Sequence, residues 1–278
     1  MRIVSSRFHH DPDERLHEDP GTSVMLKKMT SKPTTSKTNR RAGSVHTSRT
    51  IMVDNLQAVL TYTTNGILNS EELKKAVVDD NLLGKKTERT RLRSWRYLNS
   101  TYRLDDPDLA VSGFLKLWEQ FPEAQNQLAL LRAFPGDPLL QLSAGWMGTL
   151  PIGQNVGWPE LAEFLKKEGV KYSEKTMGSI ARNLLSSWAQ VGWLSGKVAK
   201  KRLQVTWHPA AITSLLFQEY RQGARGLGLY ESKTAKALGL APEQLDTLAS
   251  EAGRLGMLNY HRLDDVLEIT FPKLVEAP

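Results

Sequence analysis

Lys86, Arg89, Arg93, Arg96 and Arg103 fall at offsets of 3, 7, 10 and 17 from the first. At 3.6 residues per turn these offsets draw one continuous stripe along a helix. Arg outnumbers Lys in it, and the planar guanidinium fork suits bidentate contact with phosphate. A second set lies between Ser173 and Trp207. There Met177, Ile180, Ala181, Leu184, Leu185, Trp188 and Val191 take one face of a predicted helix, while Lys175, Ser179, Arg182 and Ser186 take the other. Gly196 then predicts a turn, followed by a basic loop with Lys197, Lys200, Lys201 and Arg202, and Leu203, Val205 and Trp207 alternate as a short strand would. The chemistry these residues offer is the binding of a polyanion. A helix with small polar and basic side chains followed by a basic hairpin is how a winged helix meets DNA: the helix enters the major groove and the wing lies along the phosphates.

Residues for covalent or metal chemistry are sparse. There is no cysteine in the 278 residues, which excludes disulfides, thiolate metal sites and cysteine nucleophiles, and fits a reducing cytosol. His9, His10, His17 and His46 fall in a segment that reads as a disordered tail, and His208 and His261 stand alone. Asp105, Asp106 and Asp108 read as a carboxylate-rich turn before a helix rather than a cation site. Gly223, Gly226 and Gly228 lack the Lys-Ser/Thr of a phosphate loop and the dinucleotide spacing, and read as a flexible interdomain turn. No GxSxG, HExxH or paired His–carboxylate motif occurs. The expectation is a protein with no catalytic residues, no metal and no cofactor.

Charge is concentrated. The formal net charge is +7. Val24 to Thr50 holds seven Lys or Arg and no acid, Gly84 to Arg103 seven bases and one acid, and Gly196 to Arg225 six bases and one acid. The rest of the chain is net acidic, so the positive charge forms patches, as a nucleic-acid partner requires. No apolar run approaches the roughly 20 residues needed to span a bilayer, and the first residues are too polar for a secretory signal.

The elements that must carry these residues are mainly α-helical. Residues 1–50, rich in Ser, Thr, Lys, Arg and Pro, predict a disordered basic tail, with Met25, Met29 or Met52 as candidate true starts. Residues 51–150 predict a helical domain: a helix opening at Ser70, another over Thr87 to Tyr102 burying Leu92, Trp95 and Tyr102, then Asp108 to Phe121, Pro122 to Phe134 and Leu139 to Leu150, with Trp118 and Trp146 in the core. Residues 151–225 predict a winged-helix-like DNA-binding domain. In it Gly153 to Gly157 is a linker, Pro159 to Glu168 and a helix capped by Ser173 form the helix–turn–helix, and a further helix follows His208-Pro209. Residues 226–278 repeat the plan as a second, degenerate module ending in a hairpin around Leu263-Asp264-Asp265. Its reading helix carries Glu243, Asp246 and Glu251 against Arg254, which repels phosphate and points to packing or protein contact.

From about Tyr62 onward the chain resembles the BrxA proteins of bacteriophage-exclusion (BREX) defence systems. The matching stretches are DNLLGKKTERTRLRSWRYL at 80–98, LLRAFPGDPLL at 130–140 and SEKTMGSIARNLLSSWAQVGWLSG at 173–196. The resemblance implies a cytoplasmic, mainly helical, non-enzymatic protein that binds DNA. It also implies partners among the methyltransferase, phosphatase-like and ATPase components of the same operon. Together the residues and the resemblance predict an accessory protein that binds double-stranded DNA through phosphates, with weak sequence preference and steep salt dependence. Two alternatives stay open: a sequence-specific transcriptional regulator or replication initiator, and a protein–protein scaffold within the defence complex.

Overall fold

The computed structural model describes residues 43–62, 69–106 and 113–274. The fold is mainly helical, with small antiparallel sheets. The first helices are α1 (Val53–Thr61), α2 (Ser70–Val78), α3 (Glu88–Tyr102), α4 (Phe114–Gln120), α5 (Gln125–Ala133) and α6 (Pro138–Thr149). Their starts are set by side-chain caps that satisfy the first free N–H groups. Thr87 accepts from the Thr90 N–H and Asp137 from those of Leu139 and Leu140. The cap of α2 is Asn69, which accepts from Glu71 and Glu72, so Ser70 is the first helical residue rather than its cap. α3 buries Trp95, Leu98 and Tyr102, whereas Leu92 is only half-buried. Trp118 and Trp146 are both buried. The predicted helix from Asp108 is described only from Phe114 onward, and Pro122 opens a 3-10 turn (Pro122–Ala124) before α5.

After α6 the chain forms β1 (Asn155–Val156), α7 (Trp158–Lys167), α8 (Glu174–Gln190), β2 (Leu194–Ser195) and β3 (Lys200–Arg202). The sheet order is β1-β3-β2, antiparallel throughout, with Asn155 opposite Lys201 and Ser195 opposite the same residue on the other side. The stretch from Gly153 to Gly157 is therefore not a linker. Gly153 N–H donates to Arg202 O (2.8 Å) and Arg202 N–H to Gln154 O (2.9 Å), which fastens it to the hairpin. Lys200, Lys201 and Arg202 lie in a strand rather than in the predicted loop, and the predicted strand over Leu203 to Trp207 does not form. The ladder ends one bond past Arg202, at Leu203 N–H to Trp193 O (3.0 Å). The alternation beyond it belongs to an extended lead into α9 (Pro209–Arg221), with Trp207 buried and His208 Nδ1 accepting from the Ala210 N–H as the cap.

A 3-10 helix (Gly226–Glu231), α10 (Lys233–Ala237), α11 (Pro242–Arg254) and the hairpin β4 (Asn259–Leu263) and β5 (Val266–Thr270) complete the described chain. One hydrophobic cluster runs from Val45 to Leu274 and includes residues of all four predicted segments. Phe217 of α9 lies 5.1 Å, centroid to centroid, from Phe271. The glycine-rich stretch at 223–228 feeds buried Leu229 and Tyr230 into this core, so it is not a flexible interdomain turn. Residues 43–50 also depart from the predicted tail, because Ser44, Val45 and His46 are buried. The rest of that segment, with His9, His10 and His17, lies outside the described residues. No helix among the described residues is long and apolar enough to cross a membrane.

Candidate nucleic-acid interface

α8 begins at its Ser173 cap, whose hydroxyl accepts from the Thr176 N–H (3.3 Å), and buries Met177, Ile180, Ala181, Leu184, Leu185 and Trp188 against the core. Burying that stripe turns Lys175 and Arg182 to solvent, with Ser179 half-buried between them. Lys166 of α7 donates to Glu163 (2.8 Å) and to Glu174 (2.9 Å), tying the first turn of α8 to its neighbour. The Ser179 hydroxyl donates to Lys175 O (3.0 Å) and faces Arg182 Nη2 at 3.5 Å. The Arg182 guanidinium sits 4.9 Å from the ring centroid of Trp158, the first residue of α7. Trp158 is 42% exposed and was not among the residues singled out from the sequence.

The hairpin that follows turns at Gly196, where φ is +92° and a Cβ would collide with the Ala199 carbonyl oxygen. Lys197 and Lys201 are exposed, and Val198 at the tip is 98% exposed. Lys200 is half-buried and spends its Nζ on Gly196 O (3.0 Å), with burial lowering its pKa. Arg202, predicted to bind DNA, does not lie on the hairpin's exposed face. It is 8% exposed, and its guanidinium donates to Met147 O (3.3 Å), Trp193 O (3.4 Å) and Leu203 O. Alternation along β3 puts Lys201 outside and Arg202 inside.

On α3, Arg89, Arg93 and Arg96 are exposed, as are Lys86 just before the helix and Arg103 at its C-cap. None of the five forms an ion pair among the described residues. Asp106 pairs instead with Arg132 (3.8 Å), and Asp108 lies outside the described residues. Arg49 extends the stripe: its guanidinium lies 5.4 Å from the Tyr97 centroid, on the flank of α3. Its place in the predicted tail hid it.

Segment 43–52 joins the two basic elements. Asn183 of α8 donates to His46 O (2.9 Å), and Tyr102 of α3 donates to Ile51 O (2.6 Å). His46 Nδ1 donates to Asp137 Oδ2 (2.9 Å), and its Nε2 lies 2.8 Å from Ser187 Oγ. These residue types and distances are those of a Ser-His-Asp relay. Here, however, Ser187 and His46 are 0% exposed. The Ser187 hydroxyl accepts from the Ile51 N–H (3.1 Å) and donates to Asn183 O (3.0 Å), so it faces packed protein. The arrangement fastens the segment to α6 and α8. Burial is the largest single influence on the Asp137 carboxyl and opposes ionisation. The hydrogen bond and charge of His46, the Leu140 N–H and Ser44 together outweigh it and hold the pKa below the ordinary value.

In the C-terminal segment Asp246 Oδ1 accepts from Tyr230 (2.9 Å), Tyr260 (3.0 Å) and Arg262 (2.8 Å), pinning α11 to its hairpin. Glu243 is exposed, and the hairpin end carries exposed Leu263 and Val266 beside Asp264 and Asp265. Among the described residues no group of three or more His, Asp or Glu is placed to hold a metal ion. No protein-family model matches the chain, and no curated protein matches it in sequence.

Proposed function

We propose that this chain is a non-enzymatic accessory protein of a bacterial, BREX-type anti-phage system, acting in the cytoplasm by binding duplex DNA. In this reading β1, α7, α8, β2 and β3 form a winged helix: α7 and α8 are the helix–turn–helix and the β2–β3 hairpin is the wing. The order β1-β3-β2 supports it, because it ties the wing to the strand that precedes the helix pair. α8 lies in the major groove with Lys175, Ser179 and Arg182 nearest the base edges. Lys197 and Lys201 lie on phosphates, with Lys200 bracing the turn. Lys86, Arg89, Arg93, Arg96 and Arg103, joined by Arg49, hold a further length of backbone.

The observation that carries the reading is the set of exposed cations on α3, α8 and the hairpin with no acidic partner among the described residues. Such groups neutralise phosphates and release counterions, which gives sequence-independent affinity. The defence assignment, with a methyltransferase, a phosphatase-like protein and an ATPase as partners, rests on the resemblance at 80–98, 130–140 and 173–196. An Arg89→Ala/Arg93→Ala variant of the full chain is expected to bind arbitrary duplexes more weakly in a mobility-shift titration, all sequences alike. Unchanged affinity would make the α3 stripe a solvent face.

A second reading draws on the C-terminal segment. Its acids and the exposed Leu263 and Val266 suit contact with another protein better than with DNA. The scaffold role is compatible with DNA binding elsewhere on the chain. Operon proteins that co-purify after nuclease treatment, and are lost on Leu263→Asp, would support it.

A further inference from the structure

We propose that Arg182 is a base-reading side chain positioned by Trp158, and that it gives the protein a preference for guanine at one position of an otherwise loosely read site. This inference rests on the DNA-binding reading above. It starts from a cost: a tryptophan ring left 42% exposed at the start of a helix forfeits apolar burial. The ring's neighbours account for its place. The guanidinium of Arg182, one helix over, lies 4.9 Å from the ring centroid. Between them is Gly178, where a Cβ would come within 3.1 Å of Trp158 Cζ3 and 3.4 Å of Arg182 Nη1. A side chain at position 178 would crowd both partners by a few tenths of an ångström.

The other side of the guanidinium is bounded too. The Ser179 hydroxyl gives its proton to Lys175 O, which leaves its lone pairs to Arg182 Nη2. Arg182 has no carboxylate partner among the described residues. It is thus a planar fork stacked on Trp158, with unspent N–H groups, on the exposed face of α8. A phosphate contact needs only charge within reach, which a freely moving Lys or Arg supplies. A fork held by an aromatic face and a hydroxyl is instead pre-organised for one planar acceptor pair. In the major groove that pair is O6 and N7 of guanine.

The test is selection from a random duplex pool with the full chain, followed by sequencing of the bound fraction. At one position guanine is expected to be favoured over the other bases by about 5- to 150-fold, the range of a good bidentate pair. Trp158→Leu should lose most of that preference and Gly178→Ala, which crowds the pair, part of it, while both keep the affinity for the unselected pool and its salt dependence. Trp158→Tyr, which keeps an aromatic face, should retain the preference. Arg182→Lys, which keeps the charge without the fork, should lose it. Two results would overturn the inference: pool binding by the wild type with no base preferred at any position, or a full preference surviving in both Trp158→Leu and Gly178→Ala. Failure of the wild type to bind the pool at all would instead overturn the DNA-binding reading on which the inference stands.

Discussion

The guanidinium of Arg202 lies 4.6 Å from the ring centroid of Trp193, inside the hairpin rather than on its surface. Trp193 in turn packs on Trp188 (4.8 Å between centroids) and Trp207 (6.4 Å). A buried cation is tolerable only with its donors satisfied, and backbone carbonyls of Met147, Trp193 and Leu203 do this. Arg202 therefore links the end of α6 to both sides of the hairpin. Arg202→Ala leaves those carbonyls short of partners and should cost about 2–4 kcal/mol in urea unfolding. DNA affinity of the fraction that remains folded should be unchanged. A variant as stable as the wild type but deficient in DNA binding would return Arg202 to the interface.

Asp137 predicts a pH dependence. Its carboxyl is held below the ordinary aspartate pKa in the folded chain. The stability it contributes is complete above the unfolded value of about 4 and is lost as pH falls through the folded one. Wild-type unfolding free energy should drop as pH falls below about 4. Asp137→Asn should be about 2–4 kcal/mol less stable at pH 7 and show a flatter acid limb. Parallel acid limbs for the two proteins in urea titrations would contradict this.

The same lock predicts the effect of truncation. A protein beginning at Met52 lacks Ser44, His46 and Ile51, so Asp137 Oδ2 loses its partners and Ser187 keeps only its bond to Asn183 O. It should melt roughly 5–15 °C below a protein beginning at Met25 or Met29. Equal melting temperatures by calorimetry would show that segment 43–52 contributes nothing.

Neighbouring lysines in the hairpin should behave differently. Lys201 is exposed, whereas Lys200 spends its ammonium on Gly196 O. Lys201→Ala should reduce the log–log salt slope of duplex binding by about 0.9, the contribution of one phosphate. Lys200→Ala should change the slope less and the melting temperature more. The reverse pattern would assign the phosphate contact to Lys200.

Local signals made most helices legible. α8 was readable because a cap at Ser173 and an apolar stripe lie within one segment. The β4–β5 hairpin announced itself through alternation around Asp264-Asp265. Features set by distant partners were not readable. β1 is two residues long, and only its partner β3, more than forty positions later, makes it a strand. His46 looked like part of a tail because its partners lie 91 and 141 residues away. Arg202, last of a Lys-Lys-Arg run, shares its neighbours' charge, and only the pleat turns it inward. Trp158 carried no local signal, because its neighbours Gly178 and Arg182 lie twenty or more positions on.

The most direct test of the central claim is fluorescence anisotropy of the full chain on an arbitrary-sequence duplex across a salt series. The comparison is with a variant in which Arg89, Arg93, Arg96, Lys197 and Lys201 are changed to Ala. Both proteins keep the basic residues before position 43, so these cannot explain a difference. The account predicts steep salt dependence for the wild type and a slope smaller by about 4.5 in the variant, from five phosphates at about 0.9 each. Identical affinity and slope in the two proteins would contradict it, because the folded surface would then take no part in binding DNA.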